Sequence, residues 1–342
     1  MGLPISTVAT VCALAASPFA CAAEPEPPLG LSEVSHPDEK PPAATQVALG
    51  ERLFFDKSLS VDGTVSCATC HVPEQAFAQA GSRTSEGVGG RIGRRNSPSI
   101  LNVAFAKSLF LDGRSGSLED QAWQPILDKD EMGNPSVREV LDRLAKSEEY
   151  TKLFKEAFDV ARPDKPSVAK ALASYQRTLL SGNSRFDRWH WGGESELLTE
   201  LEKEGYELFA GQALCWQCHP IGGDGIMFTD GEFHNTGVGW LSEQRSKAEK
   251  RDQPAEDFGR FEVTEKEADR WRYKTPSLRN VALTAPYMHD GSFANLKEVV
   301  EFYNRGGGDD NVQRLDLEQG QLDALVAFLG TLTGDQSFKT VR

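Results

Sequence analysis

Apolar residues recur at helical spacing along much of the chain. Steps of three and four residues place side chains on one face of an α-helix. The pattern predicts a mainly α fold. The apolar faces that show it are Val137, Val140, Leu141 and Leu144; Leu153, Phe154 and Phe158; Val168, Leu172, Tyr175 and Leu179; and Leu322, Leu325, Val326 and Leu329.

Glycine-rich stretches separate these helical patterns. The two longest run from Gly81 to Gly93 and from Gly222 to Gly239. Glycine interrupts regular structure, and stretches of this length are typical of functional loops. We therefore expect long irregular loops here, packed around bound groups, rather than strands.

Two pentads have the pattern Cys-x-x-Cys-His, at Cys67 to His71 and at Cys215 to His219. The pattern is typical of covalent c-type haem attachment, in which Cys67, Cys70, Cys215 and Cys218 form thioethers. His71 and His219 would then bind the two irons. Zinc sites and redox dithiols also use Cys-x-x-Cys, but two copies with an immediate histidine favour two covalently bound haem c groups.

The N-terminal residues resemble an export signal. Residues 5–23 are apolar and end in small residues, although no Lys or Arg precedes them. Cys21 raises the alternative of a lipoprotein, for which Pro18 to Ala20 is a poor lead-in. No later segment approaches the roughly 20 apolar residues of a membrane span. Because c-type haem is assembled outside the bacterial cytoplasm, we expect a periplasmic protein without stable membrane insertion.

The length and the charge limit the classes of partner. The 342 residues suffice for two domains, and the net charge of −14 makes nucleic acid an unsuitable partner. Solubility alone explains such a charge, and a protein partner with a basic face also fits it. Of the six cysteines, Cys12 and Cys21 lie in the signal, so no structural disulfide is expected.

The chain reads as a duplicated cytochrome domain, since the residues before the two pentads, Leu49 to Phe54 and Glu204 to Phe209, are alike. We predict two cytochrome c-like domains, each with one covalent haem, and a boundary near Ser181 to Ser184. The predicted segments are a signal peptide at 1–23, a Pro-rich and poorly ordered lead-in at 24–44, an N-terminal domain at 45–182 and a C-terminal domain at 183–342.

Several further motifs stand in a fixed order around the pentads. They are Arg95-Asn96-Ser97-Pro98, Asp112-Gly113-Arg114, Ser117-Leu118-Glu119-Asp120-Gln121-Ala122, Glu131-Met132-Gly133, Phe233-His234-Asn235-Thr236-Gly237, Pro276-Ser277-Leu278-Arg279-Asn280-Val281 and Thr284-Ala285-Pro286-Tyr287-Met288-His289-Asp290-Gly291. With these motifs the chain, from Leu49 to Leu332, resembles the bacterial di-haem cytochrome c peroxidase and MauG family.

The resemblance implies that the first haem reacts with hydrogen peroxide, with Gln121 and Glu131 on its distal side. A carboxylate there can move a proton between the two peroxide oxygens. Alternatively, Glu131 is a surface residue and Gln121 only orients a loop. Many family members cap this iron with a histidine, but its position here is Gly87, and no histidine occurs between His71 and His190. We expect a five-coordinate or water-ligated iron.

For the second haem, the family's sixth ligand is a methionine in the peroxidases and a tyrosine in MauG. The corresponding residue here is Tyr303, which matches the MauG pattern. A phenolate stabilises oxidised iron relative to a thioether. Met288 and His234 stay open as alternative ligands, and His289 is expected to support the haem through a propionate or backbone contact.

Two departures from the family concern electron transfer. Leu111 replaces the tryptophan usually found between the haems, and Ala213 replaces the surface tryptophan of MauG. Transfer between the haems could use Trp123 or a path from a propionate to the backbone. The route to the surface is not transferable from the family.

The resemblance also implies one calcium ion between the two haem domains. Its ligands would be the side-chain oxygen of Asn96 and the carbonyls of Thr284 and Pro286, and such hard oxygen donors suit calcium. Asn96 could equally be a turn residue before Ser97-Pro98.

The leading interpretation is a periplasmic MauG-like enzyme that uses hydrogen peroxide to oxidise side chains of a partner protein through a high-valent di-haem state. The alternative is a cytochrome c peroxidase that takes electrons from a small cytochrome or cupredoxin. Rapid peroxide-dependent oxidation of a reduced cytochrome would favour that alternative. A third possibility, an electron-transfer di-haem cytochrome without catalysis, would leave the haem spectrum unchanged by peroxide.

Overall fold

The computed structural model describes residues 26–222, 226–249, 257–308 and 312–335. The predicted signal peptide at 1–23 lies outside these residues. The helices are α1 (Ala44–Phe55), α2 (Cys67–Cys70), α3 (Leu118–Leu127), α4 (Val137–Ala145), α5 (Glu148–Phe158), α6 (Lys165–Arg177), α7 (Arg185–His190), α8 (Glu200–Ala210), α9 (Val238–Glu249), α10 (Phe261–Thr264), α11 (Leu296–Asn304) and α12 (Gln319–Gly330), and the strands are β1 (Phe233–His234) and β2 (Tyr273–Lys274).

The mainly α prediction is confirmed, because the apolar faces read from the sequence lie in α4, α5, α6 and α12. Each of the first three begins at a polar residue whose side chain accepts a hydrogen bond from a free backbone N–H of the first turn. These residues are Ser136, Ser147 and Asp164. Leu179 differs from the prediction in lying beyond the end of α6.

The second glycine-rich stretch differs from the expected loop. β1 pairs antiparallel with β2, and α9 begins at Val238 inside the predicted loop. A two-residue strand has no alternation of its own in the sequence, because its partner supplies the pairing. The first stretch contains a short 3₁₀ turn at Val88–Gly90 and an isolated antiparallel β-bridge between Glu86 and Ile92.

In the described residues, most helices pack into two large hydrophobic cores, beside a small cluster of Leu109, Leu118 and Ala173. The first contains buried residues from Leu49 to Leu179, and the second contains buried residues from Phe186 to Leu332. The predicted boundary near Ser181 falls between these two sets. The division into two domains itself stays a prediction. No helix of the described residues is long and apolar enough to cross a membrane.

The same close helix crossing occurs in both cores. A Cβ at Gly50 of α1 would lie 1.9 Å from the carbonyl oxygen of Ala171 in α6, and one at Gly205 of α8 would lie 2.0 Å from that of Ala324 in α12. Only glycine lets the helices approach this closely. The repeated sequence before each pentad therefore corresponds to a repeated helix crossing.

The lead-in at 24–44, predicted to be poorly ordered, makes buried contacts in the part that the structure describes, from residue 26 onward. Leu31 is buried, and the carbonyl of Gly30 accepts a hydrogen bond from the Arg279 guanidinium at 2.7 Å. Arg279 also forms a buried ion pair with Asp187, at 2.8 Å. A buried guanidinium has five donors to satisfy, and the lead-in carbonyl supplies one acceptor. Composition alone did not indicate this anchor.

We expect Gly205→Ala to destabilise the protein by about 1–3 kcal/mol, because the methyl group must force α8 away from α12. The matched control is Gly320→Ala in α12, where an added Cβ meets nothing within 4 Å. That change should stabilise the helix by about 0.5–1 kcal/mol. Urea unfolding followed by circular dichroism measures both, and equal stability of the two variants would contradict the close crossing.

Candidate haem-binding site

Both pentad histidines are held in the same way. His71 Nδ1 lies 3.2 Å from the carbonyl oxygen of Phe77 and 3.1 Å from that of Pro98. His219 Nδ1 lies 2.7 Å from the carbonyl oxygen of Phe228. Burial lowers the pKa of both rings, so each is neutral and donates its Nδ1 proton. Nε2 is then left as the free lone pair, the arrangement found in metal-binding histidines.

The pentad cysteines do not fit a redox dithiol or a zinc site. Burial raises the pKa of Cys67 to about 12 and that of Cys70 to about 11, so both are protonated. Reactive dithiols have lowered pKa values. In the described ranges, the only cluster of three metal-ligating groups is Cys218, Asp230 and His234, which contains one thiol. The two thiols and one histidine of each pentad therefore fit a covalent haem better than a redox dithiol or a zinc site.

A cavity of about 1780 Å³ connects the two pentads. Ligand cavities usually have about 300–1,000 Å³, so this one has room for more than one large cofactor. It is lined by Cys67, Cys70 and His71 from the first pentad and by Cys215, Gln217, Cys218 and His219 from the second. The residues present therefore fit two haem groups in one continuous cavity.

Glu131 and Gln121 both line this cavity. Glu131 is close enough to Cys70 for its charge to raise the pKa of that thiol. Burial raises the pKa of Glu131 to about 7, and Asp128 and Asp130 add to the rise. A carboxyl group with this pKa can both accept and donate a proton near neutral pH. The catalytic roles of Glu131 and Gln121 stay predictions.

Gly87 shows why no capping side chain fits beside Glu131. A Cβ at Gly87 would lie 2.0 Å from the carbonyl oxygen of Asp130 and 2.6 Å from that of Glu131. The next residue, Val88, donates its N–H to the Glu131 carbonyl at 2.9 Å. The loop that carries a capping histidine in many relatives is therefore packed directly on the Glu131 backbone.

Tyr303 lies at the second pentad. It is in the last turn of α11 and lines the cavity. Burial raises the pKa of its phenol, and the nearby Cys218 and Cys215 add to the rise. Conversion of both thiols to thioethers would remove that second cause. Tyr303 is thus close to the sulfur atoms that would hold the second haem, and its role as ligand stays a prediction.

The alternative ligands are also placed around the cavity. His234 Nε2 is engaged by Asp230 Oδ2 at 2.8 Å, close to Cys218. Met288 lines the cavity wall. His289 also lines it, but its ring is stacked on Tyr273 with centroids 3.8 Å apart. This stack positions the His289 ring, and its expected haem contact stays a prediction.

Leu111 lies on a loop whose main chain is hydrogen-bonded to the C-terminal half of the protein. The Leu111 carbonyl accepts a hydrogen bond from the Lys274 N–H at 2.7 Å. Lys274 Nζ donates to the Ser108 carbonyl, and burial lowers the pKa of this amine to about 8.

Trp123, the alternative residue for transfer between the haems, lies in the first core, and its indole N–H donates to the Lys165 carbonyl. The cavity-lining aromatic residues of the described chain are Phe and Tyr, with no Trp.

The predicted calcium ligands Asn96, Thr284 and Pro286 all line the large cavity. The Asn96 N–H donates to the His289 carbonyl at 2.7 Å. Asn96 Nδ2 donates to the carbonyls of Ser82 and Arg83. The amide oxygen therefore points away from these two carbonyls. The calcium site stays a prediction.

Sequence reasoning missed an ion-pair network between the two halves. Arg95 donates to Asp257 at 2.6 and 2.7 Å and to Asp112 at 2.6 Å. Burial alone would raise the pKa of Asp257, but Arg95 lowers it to about 2. Arg95 and Asp112 were visible as family motifs. Asp257 stands outside any motif, so the pairing had no signal in the sequence.

Comparisons with known proteins agree with this geometry. The family model for di-haem cytochrome c peroxidase matches residues 44–195. The cytochrome-c peroxidase IdrP1 of Pseudomonas sp. (strain SCT) is 37% identical over 97% of this chain and 92% of its own length. The methylamine utilization protein MauG of Methylorubrum extorquens is 37% identical over 90% of this chain and 84% of its own.

Among solved structures, a MauG-like protein associated with microbial copper homeostasis is similar over 93% of this chain and 98% of its own. Its TM-score is 0.79 and its sequence identity 31%. The fold and the site define a haem-dependent oxidoreductase. The chain belongs to the di-haem cytochrome c peroxidase and MauG family and is an enzyme of that family, as its motifs indicated.

We expect the reaction with peroxide to accelerate as the pH rises through about 7, because only deprotonated Glu131 can accept the peroxide proton. Glu131→Gln should slow this reaction by about 10²–10⁴-fold and remove the inflection. Asp130→Asn should move the inflection to lower pH, because Asp130 repels the Glu131 carboxylate. Stopped-flow absorbance measures each rate, and an unchanged inflection in Glu131→Gln would contradict this role.

Proposed function

We propose that the protein is a periplasmic di-haem oxidase of the MauG type, which uses hydrogen peroxide to oxidise Trp or Tyr side chains of a partner protein. Peroxide takes up two electrons and two protons and becomes two molecules of water. The partner's side chains lose two electrons and two protons. When bound, the haems supply the one-electron chemistry that links the two half-reactions.

The packing of Gly87 on the Glu131 backbone is the observation that carries the proposal. It supports a first haem site whose distal side is formed by Glu131 and not by a capping histidine. Such a site can accept peroxide without being reduced first. Glu131, with a pKa raised to about 7, takes the proton from one peroxide oxygen and returns it to the other. Gln121 can orient the peroxide by hydrogen bonding.

The second site supports storage of oxidising power. Tyr303 is an anionic oxygen donor once its proton is lost, and such a donor favours oxidised iron more than a methionine sulfur does. His234 is a weaker candidate for this position, because its Nε2 is already engaged by Asp230. We assign Tyr303 as the residue that, with His219, would hold the iron of the second haem.

The location and the calcium ion belong to the same proposal. The N-terminal residues 5–23 support export, and the acidic chain supports a partner with a basic face. Asn96, Thr284 and Pro286 line the same cavity and offer hard oxygen donors, which supports a calcium ion there. An ion at that position would hold the two halves together.

A cytochrome c peroxidase is the second candidate. Relatives with both names are equally similar to this chain, at 37% identity. The two candidates differ in where the electrons come from, a partner's side chains or a small redox protein. They also differ in whether the ferric enzyme reacts without reduction.

Mixing the ferric protein with one equivalent of hydrogen peroxide tests the proposal. We expect the haem absorbance to change at once without a reductant, and the new state to persist in the absence of a donor. Oxidation of a reduced small cytochrome should be slow. Tyr303→Met should accelerate it by about tenfold or more, because a thioether ligand favours the reduced iron that exchanges electrons with a cytochrome.

The matched control for that variant is Tyr287→Phe, which removes a hydroxyl hydrogen-bonded to the Val281 carbonyl at 2.9 Å and leaves Tyr303 unchanged. It should keep the rates of the unmodified protein. Reaction with peroxide only after partial reduction, followed by fast turnover of reduced cytochrome, would make the protein a cytochrome c peroxidase. No absorbance change with peroxide, before or after reduction, would contradict both candidates.

A further inference from the structure

A continuous run of aromatic rings leads from the second pentad to the surface. The ring centroid of His219 lies 6.5 Å from that of Phe209, and Phe209 lies 5.1 Å from Phe328. Phe328 lies 5.7 Å from Tyr206, which lies 5.3 Å from Trp189. Each step is within the range of aromatic contact, about 4.5–7 Å. The rings therefore form an unbroken path that begins at the proposed iron ligand.

The run ends at an exposed tryptophan. Phe186 lies 5.6 Å from Phe328 and 5.7 Å from Trp191. His190 lies between the two tryptophans, 5.8 Å from Trp189 and 4.7 Å from Trp191. Trp191 is 40% exposed. We call Tyr206, Trp189 and Trp191 the outer rings of the run.

The order of the rings suits the outward movement of an oxidising equivalent. Phenylalanine is not oxidised under biological conditions, so Phe209 and Phe328 can only provide a packed medium for electron transfer. The outer rings are the easily oxidised side chains. Tryptophan can lose an electron without an adjacent proton acceptor, whereas tyrosine needs one. Within the run, an electron hole is therefore more stable on the outer rings than on the phenylalanines.

Core packing explains only the inner part of the run. Phe186, Phe209 and Phe328 are buried in the second core. Core packing does not require Trp191, because the 40% of its surface that stays exposed contributes no hydrophobic stabilisation. The exposed Trp191 is thus the part of the run that calls for a function.

The rings of the first half are arranged differently in the described residues. Its rings around Phe54 and Tyr175 reach the surface at Phe55, which is not oxidisable. No ring contact of His71 occurs among the described residues. Trp216, inside the second pentad, is 46% exposed, but it also has no ring contact in the described part of the chain. The run from His219 is the route with consecutive ring contacts.

We propose that this run is the exit path by which oxidising equivalents pass from the second haem to the partner protein, and that Trp191 is the residue facing the partner. The inference rests on the proposed function. Each transfer moves one electron from a Trp or Tyr side chain of the partner to Trp191 and then inward along the rings. Two transfers supply the electrons that one molecule of peroxide consumes, and the oxidised partner releases two protons.

The double variant Trp189→Phe/Trp191→Phe tests the path while keeping aromatic packing. The single variant Trp191→Phe changes only a partly exposed ring, so it still tests the path if the double variant does not fold. Trp240→Phe is the matched control, because Trp240 is a partly exposed tryptophan on α9 outside the run. Each protein receives one equivalent of peroxide without a donor and is frozen for electron paramagnetic resonance. A second sample is mixed with a reduced, basic, mono-haem cytochrome c, whose slow oxidation serves only to compare the rates of electron entry among the variants.

We expect the double variant to lose the tryptophan radical signal and to oxidise the cytochrome about tenfold more slowly or worse. Trp191→Phe should show the same loss in a milder form, and Trp240→Phe should match the unmodified protein. The peroxide-driven change in haem absorbance should be the same in all of them, because the run does not touch peroxide.

Two results would overturn the exit path. One is a double variant with an unchanged radical signal and unchanged cytochrome oxidation. The other is loss of both in Trp216→Phe instead, which would place the exit at the pentad. Either result, with the haem absorbance still responding to peroxide, leaves the proposed function intact. A haem absorbance that does not respond in the unmodified protein rejects the proposed function itself.

Discussion

The hydrogen bonds from His71 and His219 to main-chain carbonyls are the constraint on which the site depends. Each bond fixes one ring nitrogen as a donor and leaves the other free for iron. The carbonyls belong to irregular loops, and those loops are held by the two helical cores. Phe228 lies in the second glycine-rich stretch, and Phe77 and Pro98 flank the first, so the irregular connections are part of the haem site and the helices serve mainly to keep them in place.

The two halves share a helix crossing but differ in the residues around their pentads. The helix crossings at Gly50 and Gly205 repeat almost atom for atom. Around these crossings the first half packs Gly87 against Glu131, whereas the second half places Tyr303 beside its cysteines. In the proposed function, the first site serves proton transfer to peroxide, and the second site, in the same cavity, holds oxidising power.

The sequence was sufficient for features that are local or repeated. The helical faces, both pentads and the family motifs could be read directly, and the similarity of the residues around Gly50 and Gly205 indicated the duplication. Long-range pairings were not readable. The Lys274 contact with Leu111 and the Arg279 contact with Gly30 join residues far apart in the chain. No periodicity or motif in the sequence predicts which main-chain carbonyl will accept a hydrogen bond from a residue far away in the chain.

The spectrum of the resting ferric protein tests the central claim, that the two haem sites have unlike sixth ligands. Visible absorption and electron paramagnetic resonance should show one high-spin iron beside Glu131 and one low-spin iron bound by Tyr303, without the absorption band of a methionine-bound haem. In Tyr303→Phe only the low-spin signal should change. Two low-spin irons, or a methionine band at the second haem, would contradict the account.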